Sequence, residues 1–368
     1  MKIDRFRARI DATDKKLVKL LNDRAHMAVE IGKIKHREGL PVFAPDREEK
    51  VLRAVEELSA RLGNLSPEAI RAIFSEVISA CRSAERKIVV AFLGPRGTFS
   101  EKAANAVKWN SLAARAAKWR FGSQVEMQPM GSIDAVFAEV AGGRADYGVV
   151  PIENSTEGGI GATLDMFMES DLKVCAEVQV RVHHALLARC KPEKVRRIYS
   201  KAEIFGQCKS WLANQYPGAA LIDVASSTHA AELASRHAGA AAVANEENAE
   251  RFGLQVLHRA IEDNPFNITR FYVVGQAPAP RTGRDKTSLL CFIKDQPGAL
   301  HELLLPFQRS RVNLTKIESW PSKRKAWDYC FFIDFEGHRD EPKIARTLAQ
   351  VRKCCSELKI LGSFPAAR

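Results

Sequence analysis

Apolar positions repeat with one period at the start of this chain and with another beyond it. From Ile3 to Ile31 there is neither Gly nor Pro, and Ile10, Leu17, Leu20, Leu21, Ala28, Ile31 and Ile34 recur at helical spacing over many turns. Leu52, Val55 and Leu58 mark a second helix. Ser66-Pro67-Glu68 reads as an N-cap followed by proline at the first helical position. It opens a third helix with Ile70, Ile73, Phe74, Val77 and Cys81 on one side. So short and charged a helical module is expected to complete its core by dimerising.

From residue 88 the pattern changes to short apolar runs that each lead into a helix. Residues 88–93 form one such strand, and Gly94-Pro95-Arg96-Gly97-Thr98-Phe99-Ser100 turns it. Residues 147–151 run into Ile152-Glu153-Asn154-Ser155-Thr156-Glu157-Gly158-Gly159 before a helix near Ile160. Residues 197–200 precede a helical run over 202–214, and residues 221–225 precede Ser226-Ser227-Thr228 and an Ala-rich helix. This alternation predicts a parallel sheet with covered faces. Amides and hydroxyls at four helix N-termini then gather beyond the strand ends, suggesting two lobes around a cleft for a small dianion. Any one junction alone also fits ordinary capping.

Ala277-Pro278-Ala279-Pro280-Arg281-Thr282-Gly283-Arg284 is a Pro/Gly-bearing link. Beyond it come a strand at 287–293, a helix at 298–309, strands at 313–320 and 326–335, a helix at about 341–352 and a last strand near Leu358. That βαββαβ order is ferredoxin-like. Division at 1–87, 88–276, 277–285 and 286–364 follows.

Composition narrows the class. With 46% apolar and 27% charged residues, the chain has the make-up of a soluble globular protein. No apolar run approaches bilayer-spanning length, and Met1 to Arg7 hold no signal core, so a cytoplasmic location is expected. Eight scattered cysteines form no Cys-x-x-Cys pair or zinc-type cluster, which fits reduced thiols and no metal. The net charge of +12 raises nucleic acid as a partner. The longest basic run is only Lys323-Arg324-Lys325, and no nucleic-acid signature accompanies it. Small anionic substrates account for part of the excess. Gly158-Gly159-Ile160-Gly161 lacks nucleotide-fold spacing, and no phosphate-loop or Gly-x-Ser-x-Gly pattern occurs. His183-His184, inside an apolar run, reads as structural.

Candidate chemistry centres on Asn267-Ile268-Thr269-Arg270-Phe271, ahead of an aromatic and β-branched run. A hydroxyl beside a guanidinium can grip a carboxylate and hand a proton to a departing oxygen. Read alone, Thr269 also fits a strand start and Arg270 a rim charge. On the first helix Arg24 and Lys35, eleven residues apart, share a face to within roughly 20°. Arg7 points about 100° away from Arg24, outside a pocket formed within one chain.

Three stretches, Gly-Pro-x-Gly-Thr-Phe-Ser, Pro-Ile-Glu-Asn-Ser and Thr-Arg-Phe, resemble the signatures of prephenate dehydratases. The region from Ser200 to Gln207-Cys208 matches less well. Arg7, Arg24, Lys35, Arg47-Glu48 and the Cys81/Glu85 pair resemble the all-helical chorismate mutases. Gly298-Ala299-Leu300-His301 and Glu318-Ser319-Trp320-Pro321 look like the phenylalanine-sensing ACT domain, with Trp320 where relatives carry Arg. The whole chain is similar to the bifunctional fusion of mutase, dehydratase and ACT domain.

The resemblance implies an all-α mutase as an intertwined dimer, a two-lobed α/β dehydratase of periplasmic-binding-protein type, and an α+β ACT module. It implies rearrangement of chorismate to prephenate, then loss of water and CO2 to phenylpyruvate in phenylalanine biosynthesis, with no cofactor. Arg7, from the partner subunit, and Arg24 would pair the substrate carboxylates. Lys35 would donate to the ether oxygen, Glu48 would accept from the ring hydroxyl, Arg47 would support the site and Cys81 would line it. Glu85 stands where relatives have Gln, so it must be protonated to donate. Ala44 stands where some carry Asp. Thr269 would assist the leaving hydroxyl, with Arg270 as a nearby positive group and Phe271 as a wall. Thr98, Glu153, Asn154, Ser155, Ser227 and Thr228 would bind substrate. Gly298, Ala299, Leu300, Glu318 and Ser319 would take the effector. Arogenate as second substrate, or a non-catalytic amino-acid-binding regulator, are the rival readings.

Overall fold

Three helices take up the N-terminal periodicity: α1 (Lys2–Glu38), α2 (Pro45–Leu62) and α3 (Pro67–Glu85). The computed structural model describes residues 2–39, 42–94, 111–156, 158–323 and 328–367. Ser66 caps α3 by accepting from Ala69 N at 3.1 Å, and Pro67 follows it. Gly63, at φ 107, closes α2 in the left-handed region that glycine enters freely. α1 is roughly 55 Å long at 1.5 Å per residue. Its Ile3, Phe6, Ile10, Leu17, Val18, Leu20, Met27, Ile31 and Ile34 are all exposed.

The middle of the chain builds two lobes. The first runs through β1 (Val89–Leu93), α4 (Leu112–Phe121), β2 (Glu126–Met130), α5 (Ile133–Ala141), β3 (Tyr147–Asn154), β4 (Gly158–Gly159), α6 (Gly161–Glu169) and β5 (Lys173–Arg181). The second holds β6 (Ala185–Ala188), β7 (Arg197–Ser200), α7 (Ala202–Gln207), α8 (Lys209–Gln215), β8 (Ala220–Asp223), α9 (Ser227–Arg236), β9 (Ala240–Ala244), α10 (Glu247–Phe252) and β10 (Gln255–His258). The chain then returns to the first lobe as β11 (Ile268–Gly275). Residues 182–184 and 259–267 are therefore the two crossings, tied by Val182 N to Asn267 O at 2.8 Å and Ile261 N to His184 O at 3.0 Å.

The expected parallel sheet is corrected to two mixed ones, ordered β2-β1-β3-β11-β5 and β10-β6-β9-β7-β8. β11 is antiparallel to both β3 and β5, because it carries the chain back into a sheet that β5 had left. The helix expected over 202–214 breaks at Cys208, where the Asp263 carboxylate accepts from the backbone of Ser210 and Trp211 and starts α8 afresh. His183-His184 lies in a crossing rather than in a strand.

The last module is β12 (Asp285–Phe292), α11 (Ala299–Arg309), β13 (Leu314–Pro321), β14 (Tyr329–Glu336), α12 (Pro342–Cys354) and β15 (Glu357–Pro365). The sheet order β13-β14-β12-β15, all antiparallel, is that of a ferredoxin-like fold. One face packs on its own helices through Leu289, Leu303, Phe307, Ile333 and Phe335. The other, through Leu290, Phe332 and Phe364, joins a core with Phe167 and Tyr272 of the first lobe. The module is thus welded to the lobe that carries β11. No helix among the described residues is long and apolar enough to cross a membrane.

Candidate active sites

Strand β11 brings Asn267 and Thr269 beside the end of β3, where Thr269 pairs with Asn154. Both side chains are almost fully buried. Asn154 Nδ2 donates to Thr269 Oγ1 at 2.9 Å and to Asn267 Oδ1 at 3.0 Å. Its Oδ1 accepts from Thr156 N at 2.9 Å, which sets the amide orientation. Thr269 oxygen is therefore an acceptor towards Asn154, and its own proton stays available to a third group.

The network continues into the second lobe. Asn267 Nδ2 donates to Gln207 Oε1 at 2.9 Å, and His184 Nε2 approaches the same oxygen at 2.7 Å. Since that oxygen only accepts, His184 carries its proton on Nε2. Burial lowers the His184 pKa and keeps the ring neutral. Glu262, in the other crossing, accepts from His184 N at 2.9 Å and from His183 Nδ1 at 2.7 Å. A continuous polar line thus links Thr269 to both crossings. Asn267, Gln207 and His184 were named in the sequence without a site role. Asn267 stands just before β11, two positions ahead of Thr269; the other two come from distant segments.

Other expected residues are placed as follows. Ser155 Oγ holds the start of β11, donating to Phe266 O at 2.8 Å and accepting from Ile268 N at 2.9 Å. Ser227 and Thr228 open α9, half-buried, behind the Ser226 cap. Thr98 lies outside the described residues.

Glu153, Arg270 and Phe271, expected as substrate contacts, have protein partners. Successive strand residues point to opposite faces, so Arg270 and Glu153 turn away from the Thr269–Asn154 side. Arg270 meets Glu177 at 2.7 Å, Asp334 at 2.5 Å, Glu153 at 3.5 Å and the Tyr272 hydroxyl at 3.2 Å. Burial opposes its charge, but Tyr272, Asp334 and Glu177 outweigh that and raise its pKa. Phe271 shares the Thr269 face but packs in the core with Phe92 and Phe121.

Arg270 is therefore a buried tie between the dehydratase lobe and Asp334 on β14. Arg270→Met should leave Glu177 and Asp334 facing a lost partner and destabilise the fold by about 3–5 kcal/mol. Thermal melting checks this; loss of dehydratase activity at an unchanged melting temperature would restore a substrate-binding role.

The helical module contains a cavity of about 290 Å3 lined by Arg24, Lys35, Arg47, Glu48, Cys81 and Glu85, with Ala44 and apolar Ile31 and Val51. Lys35 Nζ donates to Val42 O at 2.8 Å and to Glu85 Oε2 at 3.3 Å. An ammonium has three donors, so one is left for the cavity. Glu48 pairs with Arg82 on one oxygen and with Arg120 of α4 at 3.6 Å on the other. Arg7 is exposed near Asp4 at 3.7 Å and is not among the residues around the cavity.

In the third module Gly298, at φ 82, precedes α11 with Ala299 buried and Leu300 exposed. Glu318 and Ser319 lie on the edge strand β13. Lys316 joins Glu318 at 2.6 Å to Glu153 at 3.5 Å, so β13 reaches the residue beside Asn154. A Cβ on Gly159 would collide with the Glu318 carboxylate, and one on Gly161 would lie 2.6 Å from the Trp320 ring. The glycine-rich stretch lets β13 dock. Trp320 fills that contact and donates to Asp165 at 2.8 Å. No group of three or more side chains suited to a metal ion occurs among the described residues.

A cation-lined pocket among helices, a threonine held between two lobes and a ferredoxin-like module docked on one of them define a multidomain enzyme with a built-in sensor. Three families match in succession: Chorismate mutase type II over residues 6–86, Prephenate dehydratase over 90–279 and ACT domain over 287–353. A bifunctional chorismate mutase/prephenate dehydratase of Pseudomonas aeruginosa is 42% identical over 98% of this chain and 97% of its own. A prephenate dehydratase solved with L-Phe, from Arthrobacter aurescens, is 33% identical at TM-score 0.62, over 76% of this chain and 90% of that one. A structure described as a quorum quenching acylase, GqqA, is 28% identical at TM-score 0.64, over 75% and 97%. The chain belongs to the bifunctional chorismate mutase/prephenate dehydratases, and it combines both enzyme activities with an ACT regulatory domain.

Proposed function

We propose that the helical cavity rearranges chorismate to prephenate and that the cleft at Thr269 converts prephenate to phenylpyruvate. The modules are taken as residues 1–87, 88–276 and 286–364. The observation that carries the reading is the Asn154–Thr269 bond, which joins two signature stretches far apart in sequence.

The first reaction is unimolecular. Holding the compact conformer and stabilising charge on the ether oxygen suffices. Arg24 and Arg47 supply positive charge to the carboxylates, Lys35 donates to the ether oxygen, and Glu48 accepts from the ring hydroxyl. Arg7 completes the site from a second copy, whose α1 covers the exposed apolar face of this one. Glu85 is read as a further donor, a role a carboxylate cannot fill, so Glu85→Gln, whose amide always carries donors, should keep mutase activity. Chorismate kinetics check this; loss of mutase activity in Glu85→Gln removes the role.

In the second reaction aromatisation supplies the driving force, so the site has to help hydroxide leave and orient the carboxylates. Thr269 donates to the leaving oxygen. Ser227, Thr228 and Thr98 hold substrate oxygens. Phenylalanine binds at Gly298–Leu300 and Glu318–Ser319, and its signal passes through Lys316 to Glu153. A cytoplasmic location completes the reading. The test is a chorismate time course resolving prephenate and phenylpyruvate, with and without phenylalanine. Phenylpyruvate that forms and is suppressed by phenylalanine supports the reading; turnover of arogenate in place of prephenate would replace the second substrate.

A further inference from the structure

The residues around the helical cavity all belong to the helical module, but one of them, Glu48, is also held from outside it. Glu48 receives Arg82 from α3 and Arg120 from α4, a helix of the dehydratase lobe. Arg82 also donates to Phe121 O at the end of α4. Phe43, in the segment between α1 and α2, is buried beneath the Arg120 guanidinium, 4.6 Å from carbon to ring centroid. Its ring meets Phe121 at 5.0 Å and Tyr147 at 5.2 Å. The residue before it, Val42, supplies the carbonyl that holds Lys35. Gly122 follows α4 at φ 75, and a Cβ there would lie 2.6 Å from Ser79 Oγ, so the lobe approaches α3 closely. Gln124 N donates to the same Ser79 oxygen at 3.1 Å. Burial lowers the Arg120 pKa, and Glu48 offsets part of that effect.

We propose that Arg120 is a positioning residue for the mutase reaction: carried by the dehydratase lobe, it orients the Glu48 carboxylate and clamps the Phe43 segment that supports Lys35. The proposal rests on the reading of Glu48 as acceptor for the ring hydroxyl. A carboxylate held at one oxygen by Arg82 alone can rotate; a second cation 3.6 Å from the other oxygen biases its orientation electrostatically. Cation–π packing on Phe43 holds Arg120 in turn. A helical module without residues 112–121 would lack Arg120 and the carbonyl that anchors Arg82. The fusion thus makes one active site depend on the other domain. Because the hydroxyl contact exists in substrate and transition state alike, its weakening shows mainly in KM.

The experiment uses the full-length chain with Arg120→Met, Arg120→Lys, Glu48→Gln and the double variant Arg120→Met/Glu48→Gln. Kinetics on chorismate are measured beside dehydration of supplied prephenate. Arg120→Met, which keeps the stem over Phe43, is expected to raise the mutase KM by about 10-fold, with dehydration within about twofold of wild type. Arg120→Lys keeps charge without the fork and should give an intermediate rise of about threefold. On the Glu48→Gln background the Arg120 change should add less than about twofold, since the carboxylate it orients is gone. An unchanged mutase KM in Arg120→Met, parallel loss of both activities, or full additivity with Glu48→Gln overturns the proposal. Should Arg120→Met fail to fold, Arg120→Lys decides, and an unaltered KM there overturns it. Glu48→Gln alone tests the underlying reading: wild-type mutase kinetics would remove Glu48 from the site, an outcome distinct from a silent Arg120.

Discussion

Thr269→Ala is expected to slow phenylpyruvate formation by about 10²–10³-fold, the effect of removing one donor aimed at developing negative charge. Prephenate should then accumulate from chorismate at the wild-type rate, because the helical cavity shares no residue with the Thr269 network. The structural argument is one of proton direction. Asn154 occupies the acceptor side of Thr269, and the only proton the hydroxyl owns is left to point at a ligand. Thr269→Ser keeps that proton and should retain much of the activity. The alanine variant also takes the acceptor from one buried Asn154 N–H, so its melting temperature should fall modestly, and a near wild-type yield of phenylpyruvate would exclude Thr269 from the chemistry.

Lys35→Ala should lower mutase kcat by about 10²–10³-fold while dehydration of supplied prephenate continues unchanged. Lys35 Nζ has two fixed partners, Val42 O and Glu85, and its third donor faces a cavity with cations on other sides. Its removal takes away a charge placed to meet the ether oxygen and leaves the largely buried Glu85 carboxylate without that cation. Lys35→Arg is no substitute, since a planar fork cannot occupy the place of a compact ammonium held by a backbone carbonyl. Chorismate consumption measures the first effect and phenylpyruvate release from added prephenate the second. Parallel loss of both would mean that the change acts through the fold.

The periodicities of the chain were sufficient for the three N-terminal helices and for the order of the last module, but for only part of the two lobes between them. The helical repeat from Ile3 to Ile31, without Gly or Pro, lies within one continuous α1, and the βαββαβ order of the last module reappears strand for strand. Motifs also named Thr269 and Asn154, which the fold brings within hydrogen-bond distance, and Arg24, Lys35 and Glu85, which line one cavity. These signals are local: a period or a short motif is written within one segment.

What the sequence left open was direction and partnership. Nothing in Thr-Arg-Phe says that Arg270 turns to Asp334 of another module while Thr269 turns to Asn154; the strand's pleat decides it once β11 lies between β3 and β5. The glycines at 159 and 161 have no meaning until Glu318 and Trp320 press against them. Arg120, an unremarkable surface-type residue in a short helix, acquires a role only because α4 packs beside α3 and Phe43. Period and propensity are properties of neighbours along the chain, whereas charge pairing and close approach belong to neighbours in space, and those exist only after the domains have docked.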